Sequence, residues 1–379
     1  MSLAIYRKYR PKSFSELLGQ EEISAVLRSA AKLSKLSHAY LFYGPRGTGK
    51  TTIARLIAKV ANCETRKTDK KFQATGEPCN TCGHCVEIDA GRALDVVEID
   101  AASNRGIDEI RALKEGVRLS PSSYDFKVFI IDEAHMLTKD AFNALLKTLE
   151  EPPAHAILIL ATTDYEKVPP TIASRCQRFH LKKLSIENII KKLQSIAQTE
   201  KMKITEPALE LVAASAEGSL RDAESLLGQI TSLVGLPGQG NVDVADVEKI
   251  IGKVGLTRTA EFSNYLLKSD LGAALKYLSE LGGGGYNLVD FNKELVHYWR
   301  RLLSLKFDPS MDKLFAQELT KKELEILKAQ TALVDSKKHI ELVKSLIRAY
   351  SEMRYSPFAI VPLEVAIIEN LQPKEEKKK

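Results

Sequence analysis

The sequence predicts an α/β chain, with a five-stranded parallel sheet covered by helices on both faces and all-helical regions after it. Three observations predict it. Short apolar runs recur through residues 1–180, several of them unbroken by polar residues, as strands buried on both faces require. Amphipathic stretches at helical spacing alternate with these runs. After about residue 181 the strand signals stop and only helical periodicity remains.

The first strand is read at 40–43. It leads into Gly44-Pro45-Arg46-Gly47-Thr48-Gly49-Lys50-Thr51, followed by Thr52, which is a complete G-x-x-x-x-G-K-[ST] phosphate-binding loop. Behind it Ile53, Leu56, Ile57 and Val60 fall at i, i+3, i+4 and i+7, the stripe of a helix packed on a sheet. A glycine-rich turn lets successive backbone N–H groups converge on a phosphate, and the helix N-terminus adds partial positive charge. Lys50 is placed to reach the β- and γ-phosphates and Thr51 to ligate Mg²⁺, so the stretch predicts a nucleoside triphosphate site.

Four of the five cysteines crowd into the next segment: Cys63, Cys79, Cys82 and Cys85. In a reducing compartment such clustering argues for metal over disulfides, and two interlocked C-x₂-C steps with a fourth thiolate suit tetrahedral Zn²⁺. Fifteen residues separate Cys63 from Cys79, including a polar run at 65–71 that reads as a floppy loop. His84 is an alternative to Cys63 as the fourth ligand. Cys176 stands alone and reads as a packed thiol.

The second strand is read at 96–99 and the third at 128–131. The third ends in Asp132-Glu133. Asp132 is placed to hold Mg²⁺ opposite Thr51, and Glu133 to polarise a water attacking the γ-phosphorus. The fourth strand, 157–161, ends in Thr162-Thr163. Thr163 either contacts the γ-phosphate or the attacking water, or simply closes the strand. Ser174-Arg175-Cys176 precedes the fifth strand at 177–180.

Helices are read at 185–199, 206–216, 220–234 and 245–251, with a loop at 236–240 before the last. Ser219 N-caps the third of them, with Asp222 as a variant capping-box partner. Arg221 then sits in a helix first turn, where a cation opposes the macrodipole unless a phosphate is bound nearby. The alternative is a plain surface arginine. A further helical region spans 256–371. It is broken by Gly282 to Gly285, read as a hinge or an inter-helix turn, and by Asp308-Pro309.

The formal charge is +6 and the pI about 8.8, mild values that permit a nucleic-acid partner without requiring one. No run of about 18 apolar residues suggests a membrane span. The basic start at Arg7, Lys8, Arg10 and Lys12 lacks the apolar stretch of a secretory signal, so a cytoplasmic protein is expected.

These residues together resemble the AAA+ clamp-loader ATPases, in their gamma/tau branch. The resemblance is carried by Tyr6 to Phe14, Leu18-Gly19-Gln20, His38 to Phe42, the phosphate loop, Glu98 to Ser103 and Ile131 to Leu137. It continues through Asn143 to Pro153, Ala161 to Asp164, Ser174-Arg175-Cys176 and Gly218 to Asp222. It is close over about residues 1–250 and one of architecture beyond. It implies an AAA+ P-loop domain over 1–180 with a zinc module near 63–85, a helical lid over 181–252, a helical oligomerisation collar over 256–371 and a charged tail over 372–379.

By that resemblance ATP and Mg²⁺ occupy the loop, and Lys50, Thr51, Asp132 and Glu133 form the hydrolytic site. Thr163 matches the sensor-1 residue and Arg221 the sensor-2 arginine. Arg175 matches an arginine finger that acts on ATP held by the neighbouring subunit. The cysteines match the family's zinc module, although the Cys63–Cys79 gap is longer than its pattern. Arg105, Arg111 and Lys147 match positions along a channel that tracks duplex phosphates; the alternative is an ordinary solvated face. The implied function is an ATP-driven motor subunit that loads a sliding clamp onto primer–template DNA. The implied partners are further copies of the chain, delta and delta-prime subunits, and, through a longer C-terminal region, the polymerase core and helicase. A non-hydrolysing structural subunit and an AAA+ DNA translocase are the competing readings.

Overall fold

The structure is a computed structural model that describes residues 4–103, 107–234, 241–251, 255–316 and 318–372. Arg105, the loop expected at 236–240 and residues 373–379 of the expected tail lie outside the described residues. The chain divides into two compact units. One runs to Leu184 and includes Gly218–Asp222; the other holds Ser185–Glu217 and the residues from Ala223 onward.

The first unit is built on five strands: β1 (Ala39–Tyr43), β2 (Val96–Asp100), β3 (Lys127–Asp132), β4 (Ala156–Thr162) and β5 (Gln177–His180). They form one sheet in the order β2-β3-β4-β1-β5, with every pairing parallel. The fifth strand has the expected bounds, and the other four extend one or two residues past theirs.

Successive side chains along the central strands enter opposite layers. Tyr40 and Phe42 on β1, with Ile157 and Ile159 on β4, pack against Phe14, Leu27, Ile53 and Ile57. Ala39, Leu41, Leu158 and Leu160 pack against Ile110, Leu113, Leu145 and Leu149. Both faces are therefore apolar, and all seven residues of β4 are buried. Because β4 lies between β1 and β3, the loop after Tyr43, the carboxylates at the end of β3 and Thr162-Thr163 all leave the sheet at its C-terminal edge. Parallel α/β sheets bind ligands there.

The floppy loop expected at 65–71 is a correction. The spacer between the cysteines forms two short helices, Glu64–Thr68 and Lys70–Gln73. Arg66, placed between polar neighbours in the sequence, is 7% exposed, and its guanidinium donates to the carbonyls of Ala31, Val60, Gln73 and Glu77. Four carbonyl acceptors around one buried cation give the segment a fixed path that local periodicity does not show. Asp69 caps the second helix, accepting from Lys71 N–H and Phe72 N–H.

The second unit is helical, with helices at Ile186–Thr199, Glu206–Ser215 and Val244–Ile251. From residue 256 a separate core gathers around Trp299, Tyr298, Phe262 and Phe291. Half of the glycine run is helix, since Leu271–Gly283 takes in its first two members, and only Gly285 enters the left-handed region, at φ +79°. The chain thus turns after a completed helix, as an inter-helix turn requires, and Tyr286 packs against the core beyond it. Asp308 ends Leu288–Phe307 and accepts from Ser310 N–H and Oγ–H, giving the break expected at Asp308-Pro309.

Candidate functional site

The phosphate loop follows β1 directly and ends in the helix Lys50–Asn62, here called the loop helix. Its three glycines all have positive φ, and at two of them a side chain would also collide with its neighbours. Gly44 has φ +142°, and a Cβ there would lie 2.2 Å from the Leu181 carbonyl oxygen. Gly47 has φ +72°, and its Cβ would lie 1.9 Å from Ser219 Oγ. Thr48 closes the turn by donating to the Pro45 carbonyl at 2.9 Å, while Arg46 is exposed.

Lys50 is 6% exposed, and its ammonium donates to the Gly44 and Pro45 carbonyls at 2.9 and 2.8 Å. Burial lowers its pKa from the usual lysine value, opposed by the charges of Glu133 and Asp132. Thr51 Oγ1 donates to Asp132 Oδ2 at 2.7 Å, joining the loop helix to the end of β3. A hydroxyl and a carboxylate converging in this way are hard oxygen donors that suit Mg²⁺. Thr52 is half-buried behind them.

Glu133 has left-handed backbone, φ +47°, which turns the chain sharply at the end of β3. Its Oε2 accepts from Thr163 Oγ1–H at 2.8 Å and Thr163 N–H at 3.3 Å, with His135 Nδ1 at 3.4 Å. His135 Nδ1 is also 3.0 Å from Thr162 Oγ1. Thr163 is thus exposed at the site, with its hydroxyl on the carboxylate expected to polarise water.

Ser219 Oγ accepts from Asp222 N–H at 3.3 Å, the capping contact expected for this helix start. Since Ser219 also presses on Gly47, this turn stands against the phosphate loop. Arg221 is exposed and stacks over the Tyr6 ring, 5.0 Å from its centroid. Tyr6 lies within the N-terminal stretch that carries the resemblance, but nothing in the sequence points to its place beside Arg221. Arg10, nearby in sequence, is held below the usual arginine value by burial, with Arg55, Glu98 and Arg221 among its charged neighbours.

Arg175 is one-third exposed, at the surface of the same unit. It pairs with Glu150 at 2.6 Å and donates to the Thr171 carbonyl at 2.7 Å. Glu150 is the last residue of the helix Lys139–Glu150, and an acidic residue at a helix end carries no sequence signal of such a pairing. On that helix Phe142, Leu145 and Leu149 are buried and Leu146 half-buried, while Lys147 is exposed. Arg111 lies in the helix Ile107–Arg118, and its side chain lies outside the described residues. Cys176 is a packed thiol, half-buried, with its pKa pushed up to about 12 by burial.

The four clustered cysteines meet in space. Their sulfur atoms all lie within 4.8 Å of one another, with Cys79 and Cys85 3.9 Å apart. A tetrahedral ZnS₄ centre with bonds of about 2.3 Å needs sulfurs about 3.8 Å apart, so the donor set fits. A hydrogen bond from Cys85 holds the Cys63 thiol below the usual cysteine value, and the same contact pushes Cys85 up. His84 faces elsewhere, with Nδ1 2.8 Å from the Asn62 carbonyl and its ring on Tyr124. Cys63, not His84, completes this geometry.

Among the described residues no helix is long and apolar enough to cross a membrane. Family models match three consecutive stretches: DNA polymerase III, delta subunit, over residues 19–185; DNA polymerase III clamp loader subunit, ATPase lid domain, over 188–233; and DNA polymerase III subunits gamma and tau domain III, over 242–378. The DNA polymerase III subunit tau of Bacillus subtilis (strain 168) is 39% identical, the match covering 97% of this chain and 63% of that one. Subunit tau of Escherichia coli (strain K12) is also 39% identical, over 84% of this chain and 48% of its own length. Subunit gamma of Buchnera aphidicola subsp. Schizaphis graminum is 37% identical over 96% of both chains. The chain thus spans about half to two-thirds of the two tau subunits and nearly all of the gamma subunit.

Proposed function

This chain belongs to the gamma/tau family of DNA polymerase III subunits, and on that premise we propose that it is an ATP-hydrolysing motor subunit of a clamp loader. One observation carries the hydrolytic part of the reading. Lys50, the Thr51–Asp132 pair and the Glu133–Thr163 pair converge at the C-terminal edge of one sheet, each held by a direct hydrogen bond. A structural subunit that only held nucleotide would not need the second pair.

In this reading the loop N–H groups and Lys50 bind the ATP phosphates, the lysine leaving its two carbonyl partners to do so. Bound Mg²⁺, held from Thr51 and Asp132, would offset charge on the β- and γ-phosphates. Glu133 accepts a hydrogen bond from the attacking water once it moves off Thr163, and Thr163 as sensor 1 is left to contact the γ-phosphate or that water. Arg221 supplies positive charge from the turn against Gly47 as sensor 2. Arg175 leaves Glu150 to reach the nucleotide of an adjacent subunit. Catalysis then rests on positioning and electrostatics.

The remaining assignments are proposed with it. Residues 1–180 act as the ATPase domain with its zinc module, 181–252 as the lid and 256–371 as the collar that joins subunits of delta and delta-prime type. The partners are a sliding clamp and primer–template DNA, contacted by Lys147, Arg111 and Arg105 through phosphates. Polymerase core and helicase would bind through sequence beyond the collar in a longer product. The place of action is the cytoplasm.

ATPase rate measured with primer–template DNA and a sliding clamp, separately and together, tests the reading. Strong synergy is expected. A rate near zero throughout would favour the structural-subunit reading, and clamp-independent strand movement a translocase.

Two further results are expected. Gly47→Ala forces a side chain into left-handed backbone, worth about 1–2 kcal/mol, and drives its Cβ into Ser219. Binding of a fluorescent ATP analogue should weaken by about tenfold or more, as that strain implies. Protein purified without added metal should carry about one zinc per chain, the count for one closed four-thiolate site. Cys82→Ser should lose it; unchanged zinc content in that variant would remove the cluster from consideration.

A further inference from the structure

The cysteine module grips both elements that shape the phosphate loop. On one side Asp89 places both carboxylate oxygens 2.9 Å from Lys59, a loop-helix lysine only 1% exposed. On the other side stands Glu77, two residues ahead of Cys79. Its Oε2 accepts from Phe14 N–H at 2.8 Å and its Oε1 from Ser15 N–H at 3.1 Å, with Arg28 Nε 3.0 Å away. Those N–H groups open the short 3₁₀ helix Phe14–Glu16, which has no side-chain cap of its own. Glu77 therefore caps it from across the fold. The next residue, Leu17, is buried with Cδ2 4.0 Å from where a Gly49 Cβ would stand. The wall of the phosphate loop is thus set by a carboxylate whose own position depends on the segment between Cys63 and Cys79.

We propose that Glu77 is a positioning residue that couples metal binding at the four cysteines to nucleotide binding at the phosphate loop. The proposal rests on the metal and nucleotide assignments above. A metal that fixes Cys79 relative to Cys63 restrains residues 64–78, so Glu77 holds Phe14 and Leu17 in one place. Nucleotide that selects the same placement must then favour metal by the same factor, because binding coupling is reciprocal.

The full chain at constant Mg²⁺ tests this by competition for zinc with a chromophoric chelator, with and without a non-hydrolysable ATP analogue. Zinc affinity should rise about fivefold or more with the analogue, the lower end of ordinary coupling. In Glu77→Gln the ratio should fall toward one while zinc content stays at one per chain. Glu77→Asp, whose carboxylate is one methylene short, should lower the ratio as well and serves if the first variant does not fold. A ratio near one in the unaltered chain overturns the coupling, an unchanged ratio in both variants overturns the part played by Glu77, and either leaves the nucleotide assignment standing. Failure of the analogue to bind at all overturns both.

Discussion

Arg175→Ala is expected to leave nucleotide binding at each chain's own loop intact and to lower hydrolysis in the assembled, DNA-stimulated complex by about 10³–10⁵-fold. That is the range for an arginine that neutralises transition-state charge on a transferring phosphoryl group. In the isolated chain the guanidinium rests on Glu150 and the Thr171 carbonyl. The effect should therefore appear only where subunits meet. Co-expression with Lys50→Ala chains gives the sharper measurement. Interfaces at which a Lys50→Ala chain supplies the arginine to the loop of an Arg175→Ala chain are complete, and activity should partly return. Normal ATP turnover by Arg175→Ala within an intact clamp–DNA assembly would reduce this residue to a surface ion pair.

Glu133→Gln should separate binding from chemistry. The amide keeps the size of the side chain and still offers an oxygen to the Thr163 hydroxyl, so fold and ATP affinity should hold. It cannot polarise water as a carboxylate does, and turnover should fall by about 10²–10⁴-fold, the usual contribution of a positioned base. Lys50→Ala should do the reverse in order, losing binding first, because it removes the buried ammonium that meets the phosphates. Single-turnover measurements distinguish the two. Near-normal turnover in Glu133→Gln would move the water-positioning role to another residue.

The parts of this molecule with short-range causes were legible in the sequence. Short unbroken apolar runs such as Ile157 to Ala161 read as strands buried on both faces because they are too short for a buried helix, and the phosphate loop announces itself by its glycines and lysine. The helix Leu220–Val234 was bounded correctly by its serine cap and periodicity. The thiolate cluster was legible from spacing, yet its course was not. Helices of four and five residues have no period to read, and Arg66 is fixed by carbonyls as far away as Ala31. The pairing of Arg175 with Glu150, the stacking of Arg221 on Tyr6 and the pressure of Ser219 on Gly47 are likewise products of the folded chain. In each case the residues are legible in the sequence and their pairing is not, because nothing local selects the partner.

The backbone at Glu133 bears on how such a chain is shaped by selection. An L-residue in the left-handed region is strained by about 1–2 kcal/mol, and glycine or asparagine would relieve much of that. At φ +47° Glu133 carries that cost, as Lys201 and Glu217 do elsewhere in the chain. On the role proposed for Glu133, the fold and the reaction pull in opposite directions at this one position, and the strained turn is what the reaction would ask of the chain.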